Sequence, residues 1–100
     1  MGEKIKVKVD EDLREIIPVF MKSRREDISE LKKMLDEEQF KEIEKRAHRI
    51  KGAGGGYGFD RVTELGRKME KAAGEKDRKN LEELIAEFAE YMERVEIVYE

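Results

Sequence analysis

The chain contains one histidine, His48, and its neighbours on the same side of a helix suit phosphoryl chemistry. With about 100° of rotation per residue, His48 lies roughly 130° from the centre of its helix's apolar face, so the imidazole points to solvent. Lys51 and Gly52 follow one turn later on the same side, and Gly55 continues that strip. A docking macromolecule would need such a bare strip to reach an exposed imidazole.

Four glycines occupy residues 52–56. Each costs about 1 kcal/mol relative to alanine inside a helix, so the helix gains nothing from them unless something approaches its backbone. A frayed helix end with an ordinary surface histidine is the other interpretation, and spacing alone leaves both open. A phosphate-cradling loop is excluded, because no strand precedes the glycines and no Gly-Lys-Ser/Thr sequence follows them.

Positive charge is concentrated around His48, although the formal net charge of the chain is −3. A local positive field would stabilise a phosphoryl group on the imidazole and steer an acidic partner toward it. An ordinary solvated face, paired with Glu42 and Glu44, is the alternative. Residues 45–51 hold four cations and no carboxylate, and the cations are Lys45, Arg46, Arg49 and Lys51.

Glu70 is predicted to reach His48 from the next helix. A helix from His48 to Tyr57 rises roughly 14 Å, and a returning helix from Asp60 to Glu70 descends roughly 15 Å, so the two side chains arrive level. A carboxylate there would accept a hydrogen bond from Nδ1–H and leave the Nε2 lone pair free to attack phosphorus. Arg67, one turn nearer the loop, is a candidate contact for phosphoryl oxygens. For both residues the alternative is a solvated surface side chain.

Helices must position these side chains. The chain has 100 residues, 38% hydrophobic and 47% charged, enough for one narrow core and a single domain over 1–100. Apolar residues at helical spacing predict an all-α fold, an antiparallel four-helix bundle over 10–98. Pro18 predicts a short or kinked N-terminal helix, and alternating charged and apolar residues predict an extended arm over 1–9.

Capping residues mark the predicted helix ends. Asp36 with Gln39 and Asn80 with Glu83 match capping boxes, and Asp10 and Asp60 are further N-caps. Gly58 suits a left-handed residue at a helix end, and Gly74 closes the third helix. The apolar series includes Ile16 on the first helix, Tyr57 on the second and Val95 on the fourth. If the two ends of the chain pair, lysines would face glutamates: Lys4, Lys6 and Lys8 opposite Glu93, Glu96 and Glu100.

Composition excludes several classes of function. There is no cysteine, one histidine is too few for a typical zinc site, and no carboxylate run has calcium-loop spacing, so we expect no metal or cofactor. The candidate hydroxyl nucleophiles, Ser23, Ser29 and Thr63, lack the setting for an oxyanion hole. The near-balanced charge argues against nucleic acid as a partner. No segment approaches the ~20 apolar residues of a membrane span, so we expect a soluble cytoplasmic protein.

Residues 47–74 resemble the histidine-containing phosphotransfer (HPt) domain family. Its signature is a histidine, Lys-Gly three and four residues later, a glycine ten residues after the histidine, and a returning helix with a leucine and a small residue. The matching residues are His48, Lys51, Gly52, Gly58, Leu65 and Gly66. The segment is also similar to the phosphorylated first domain of chemotaxis histidine kinases, which carry a glutamate at the position of Glu70.

The resemblance implies a phosphocarrier of a bacterial two-component phosphorelay rather than an enzyme. His48 would exchange a phosphoryl group with an aspartate of a receiver domain, while Lys51 neutralises charge and Glu70 orients the imidazole. The implied partners are a response-regulator receiver domain, which brings the Mg²⁺, or a hybrid histidine kinase. We expect a monomer whose partner-binding surface comprises Lys45, Arg49, Gly52, Gly55 and Arg67.

Three alternatives stay open at this point. The bundle could be a pure interaction module that binds through its glycine strip without chemistry. It could be a nucleic-acid adaptor that uses the basic residues near His48, which the net acidity disfavours. It could also be the phospho-acceptor domain of a chemotaxis-type histidine kinase, phosphorylated directly by an ATP-binding domain.

Overall fold

A computed structural model describes residues 3–100, so the first two residues of the predicted arm lie outside it. Four helices form a bundle, which confirms the predicted fold class, and two short strands are added to it. The elements in chain order are β1 (Ile5–Val9), a 3₁₀ turn (Glu11–Leu13), α1 (Ile17–Asp36), α2 (Phe40–Gly55), α3 (Asp60–Gly74), α4 (Arg78–Arg94) and β2 (Val95–Tyr99).

The core is formed by the apolar stripes of the four helices, because each helix repeats its apolar residues every three or four positions. Side chains with no exposed surface come from every helix, among them Leu31, Ile43, Leu65 and Phe88. At the end of the bundle beside the α2–α3 loop, aromatic rings close the core as a hydrophobic plug. Phe20 stacks on Phe59 with ring centroids 4.6 Å apart, and its ring meets Tyr57 edge-on at 5.2 Å.

Pro18 begins a helix instead of kinking one. It lies in the first turn of α1, where its missing N–H is not required and its fixed φ suits the helix. The predicted short N-terminal helix is the separate 3₁₀ turn, and Asp10 caps it as expected by accepting a hydrogen bond from the Asp12 N–H at 2.9 Å. Ile16 precedes the helix and is 43% exposed, so its assignment to the core is wrong.

The predicted N-terminal caps of the other three helices are wrong, whereas Gly74 does end α3 as predicted. Asp36 ends α1, and α2 begins at Phe40 without a side-chain cap. Asp60 is the first residue of α3 rather than the residue before it. Asn80 lies inside the first turn of α4, where its N–H donates to the carboxylate of the true cap, Asp77, at 3.2 Å.

Left-handed residues explain where these helices start. Glu38 and Lys76 have φ angles of 54° and 55°, so the chain reverses direction just before α2 and just before α4. Non-glycine residues rarely adopt this conformation, and nothing in their side chains marks it in the sequence. Gly58 does adopt the left-handed conformation predicted for it, with φ of 86°. It lies beyond the end of α2 at Gly55, so Tyr57 belongs to the loop rather than to the helix.

The two ends of the described chain pair with each other. β1 and β2 form a parallel two-stranded sheet in which Ile5 lies opposite Val95 and Val9 opposite Tyr99. Lys6 is therefore in register with Glu96, and Lys8 forms an ion pair with Glu100 at 3.5 Å. Val95 begins this strand, so the prediction that it continues the fourth helix is wrong.

Candidate functional site

His48 lies on α2 with its side chain 66% exposed, on the solvent side that its position predicts. Its Nδ1 is 2.8 Å from Oε2 of Glu70, which extends from α3. The two residues are 22 positions apart in the chain and meet because α3 returns alongside α2 by the same height. The rise per residue along the two helices therefore predicted correctly that Glu70 lies level with His48.

Lys51 completes this contact in a way that the sequence did not lead us to expect. Its Nζ donates to Oε1 of Glu70 at 2.9 Å, so one carboxylate serves both side chains. The Lys51 ammonium, helped by His48, holds the pKa of the Glu70 carboxyl below its ordinary value of about 4.5, against partial burial that acts to raise it. The sequence does contain the information needed to predict this hydrogen bond, because Lys51 follows His48 by one turn on the side that faces Glu70.

The contact with Glu70 decides where the imidazole hydrogen lies. An ionised carboxylate only accepts hydrogen bonds, so the short contact with Oε2 requires that Nδ1 of His48 carries the hydrogen. The neutral imidazole then has its lone pair on Nε2. The site thus presents an exposed imidazole whose tautomer is set by Glu70 on the adjacent helix.

The glycine strip next to His48 is open. A methyl group added at Gly52 or Gly56 would have no neighbour within 4 Å, and one at Gly55 would approach only the Thr63 hydroxyl, at 3.7 Å. Gly54, in contrast, is buried against α3. Three of the four glycines therefore leave bare backbone on the C-terminal side of His48, and the fourth, Gly54, packs against α3.

The cations around His48 divide into two groups. Lys45 and Arg49 are exposed on the histidine side of α2, and Lys45 pairs with Glu42 at 3.7 Å. Arg46 lines the hollow beside His48, but its charge is paired with Asp27, which corrects the prediction that it adds to the positive field around the histidine. Two residues before His48, it is rotated by about 200° and points toward α1. There its guanidinium donates to the carboxylate of Asp27 at 2.8 Å.

Arg67 takes no part in the contact between His48, Lys51 and Glu70. It is exposed on α3 and lines a depression toward α4 together with Lys71 and Leu84. The carboxylate one turn later, Glu70, is occupied by His48 and Lys51. The structure therefore brings together three of the predicted site residues and leaves Arg67 outside them.

An apolar hollow of about 450 Å³ adjoins the glycine strip. Ile16 and Val19 of the α1 start line it and are 43% and 62% exposed, and the opposite wall includes Gly52 and Gly56. This surface was not predicted, because the periodicity assigned Ile16 to the core and gave Val19 no role. An apolar residue off the core stripe and level with the glycines is the signal that could have found it.

The described residues offer neither a metal cluster nor a membrane-spanning helix. Among residues 3–100, no group of three or more His, Asp or Glu side chains is arranged to hold a metal ion. Within the same residues, no helix has the length and apolar character needed to cross a membrane.

Comparison with known proteins gives one result. The family model described as the Hpt domain matches residues 15–97. Neither the curated proteins nor the solved structures yielded a match. Domains of this family act in histidine phosphotransfer within phosphorelays, as carriers rather than catalysts, and pass phosphoryl groups to receiver domains. Since the match spans most of the chain and includes the helices that hold His48 and Glu70, the chain belongs to the Hpt domain family.

Proposed function

We propose that His48 is the phosphorylated residue and that its Nε2 is the nucleophile. The observation that carries this proposal is the 2.8 Å contact between Nδ1 and Oε2 of Glu70, since it directs the other ring nitrogen to solvent as a free lone pair. Nε2 attacks the phosphorus of a partner's phospho-aspartate in line, a P–N bond forms, and the P–O bond to the aspartate breaks. The aspartate leaves as a carboxylate. The reverse reaction gives the group to a second partner's aspartate.

Glu70 and Lys51 support this step with charge. Attack by a neutral imidazole gives a phosphoimidazolium that keeps its hydrogen on Nδ1, and the adjacent Glu70 carboxylate stabilises the positive ring. Lys51, whose ammonium lies 2.9 Å from the other oxygen of Glu70, holds that carboxylate in place and adds positive charge beside the phosphoryl group. The domain then needs only to present the group, since His48 borders an open hollow lined mainly by charged side chains.

The surface around His48 suits a receiver domain. Lys45 and Arg49 lie on one side and favour the acidic phospho-acceptor site of such a partner. Gly52 and Gly55 lie on the other side and admit the partner's backbone close to the imidazole. The apolar hollow beside Val19 extends the same surface and offers a contact for an apolar side chain. The partner, a response-regulator receiver or the receiver of a hybrid histidine kinase, supplies the Mg²⁺. The carrier acts in the cytoplasm as a monomer.

The test is phosphotransfer from prephosphorylated receiver domains. The purified protein is mixed with a panel of such domains and Mg²⁺, and label is followed by phosphate-affinity gel and intact mass. One acid-labile, base-stable phosphoryl group is expected on the wild type and none on His48→Gln. If His48 remains unmodified with every receiver and with a small-molecule phosphodonor, the protein is an interaction module and the proposal is wrong.

The phospho-acceptor domain of a chemotaxis-type kinase is the second candidate. The observation that favours it is the identity of Glu70, since the kinase domains similar to this segment carry a glutamate there. This variant uses the same His48 and Glu70 contact but takes its phosphoryl group from ATP through a kinase domain. Incubation with ATP and the ATP-binding domain of such a kinase, without any receiver, separates the two. Label on His48 under those conditions supports the second candidate.

A further inference from the structure

Gly66 lies where α3 packs closely against the backbone of α2. A methyl group added there would lie 2.6 Å from the amide nitrogen of Lys51 and 2.8 Å from its Cα. The carbonyl oxygen of Ala47 would be 3.1 Å away. All three atoms belong to the backbone of α2, so no side-chain rotation can relieve the overlap. Any residue larger than glycine at position 66 must move one helix away from the other.

The backbone atoms that a methyl group at position 66 would meet belong to residues on either side of His48. Ala47 precedes His48 in the chain, and Lys51 follows it by one turn. On α3, Gly66 precedes Glu70 by four residues and so lies one turn away on nearly the same face. Thr63 adds to this contact by donating a hydrogen bond to the Lys51 carbonyl at 3.1 Å. The same distance between α2 and α3 therefore affects both the backbone contact at Gly66 and the hydrogen bond between His48 and Glu70.

We infer that Gly66 is a positioning residue, which holds α3 close enough to α2 for the Glu70 carboxylate to reach Nδ1 of His48. This inference rests on the proposed function for its effect on transfer, but not for its effect on the imidazole. Relief of the 2.6 Å overlap to an ordinary contact of 3.4 Å needs a shift of about 0.8 Å. A shift of that size along the line from Nδ1 to Oε2 would lengthen the 2.8 Å contact beyond hydrogen-bond distance.

Gly74 provides a matched control on the same helix. A methyl group there would meet only the Glu44 carboxylate, at 3.1 Å from Oε2 and 3.9 Å from Cδ, and that flexible end can move aside. Gly66→Ala and Gly74→Ala therefore make the same chemical change on α3. Only the first forces the two helices apart next to His48.

The experiment measures the His48 imidazole directly and transfer separately. Nitrogen-15 spectra report which ring nitrogen carries the hydrogen, and labelled receivers report the transfer rate. Gly66→Ala is expected to lose the signature of a hydrogen-bonded Nδ1–H and to slow transfer on the order of 10-fold. Gly74→Ala should match the wild type in both. Because Gly66 acts through Glu70, the double variant Gly66→Ala with Glu70→Ala should transfer no more slowly than Glu70→Ala alone.

Two results would overturn the inference. One is a wild-type imidazole spectrum in Gly66→Ala, and the other is a double variant that shows the product of both single losses. If Gly66→Ala does not fold, Glu70→Asp tests the same spacing, because its carboxylate is one methylene shorter while the helices keep their contact. A shortened carboxylate that still holds Nδ1–H would show slack between the helices and contradict the inference. If the wild type accepts no phosphoryl group, the proposed function fails, while the spectra still decide the role of Gly66.

Discussion

The two oxygens of Glu70 have separate partners, and this division gives a single side chain two effects. Oε2 accepts the hydrogen of the His48 imidazole, and Oε1 accepts from the Lys51 ammonium. The lysine lowers the pKa of the carboxyl, so Glu70 remains an acceptor under conditions in which an isolated glutamate begins to protonate. Glu70 must be ionised to accept the hydrogen of Nδ1, and Lys51, which favours the ionised form, is itself part of the site.

This arrangement predicts a pH dependence of stability. Because the folded-state pKa of Glu70 is lowered, its contribution to stability is fully present above the ordinary value of about 4.5 and is lost as the pH falls through the folded value. Below that pH, the unfolding free energies of the wild type and of Glu70→Gln should converge as the carboxyl takes up its proton, which denaturant unfolding at a series of pH values measures. A difference that grew as the pH fell below about 4.5 would contradict the lowered pKa.

Val19 gives a prediction for docking at the level of one residue. Its side chain is 62% exposed beside the glycine strip, so Val19→Asp should leave the unfolding free energy nearly unchanged. Transfer should need a higher receiver concentration to reach half its maximal rate, because a charge replaces an apolar contact. Ser29→Asp adds the same charge to an exposed position further along α1 and is the control. Equal effects of the two variants would exclude this part of the docking surface.

At the scale of the elements, a buried ion-pair cluster joins α1 to α2. Asp27 of α1 is only 6% exposed, and it accepts hydrogen bonds from Arg24 at 2.7 Å and from Arg46 at 2.8 Å. Because Arg46 is two residues from His48, this cluster ties the histidine helix to the helix that carries Val19. The two helices that border the glycine strip are therefore joined by charge as well as by apolar packing.

Removal of the shared carboxylate should destabilise the fold. Asp27→Ala leaves two largely buried guanidinium groups without a counter-charge, and we expect a loss of about 3–5 kcal/mol in unfolding free energy. Glu42→Ala removes an exposed partner of Lys45 and should cost less than about 1 kcal/mol. Chemical denaturation measures both. Similar losses in the two variants would mean that the cluster contributes no more than a surface pair.

The helices were predictable from sequence, as was the end of α3 at Gly74, whereas the first residues of α2, α3 and α4 were not. A buried stripe repeats over many residues, so the core positions of α2, such as Ile43 and Ile50, stand out from the pattern. A helix start depends on a few backbone angles, and Glu38 and Lys76 take left-handed angles that their side chains do not announce. Glu70 was found because helix rise is constant. The Lys51 contact was missed because the reach of a side chain between helices depends on the distance between them, which the apolar pattern does not give.

At the scale of the whole molecule, the described chain forms one closed unit. β1 precedes the first helix and β2 follows the last, yet they pair along their full lengths, from Ile5 opposite Val95 to Val9 opposite Tyr99. The backbone continues this connection beyond the strands, since the Glu11 N–H donates to the Glu100 carbonyl at 2.9 Å. Pairing at such sequence separation carries a large loop-closure cost, so the sheet forms only when the bundle holds both ends in place.

The parallel direction of these strands determines how the domain would respond to tension. The chain enters the sheet at Ile5 and leaves it at Tyr99, and these residues lie at opposite ends of the strand pair. A pull on the two ends of the chain would therefore slide the strands lengthwise and load their hydrogen bonds together, whereas an antiparallel pair would open one bond at a time. In an optical trap, the two strands should thus separate in a single step, and the helices that hold His48 should stay folded until that step.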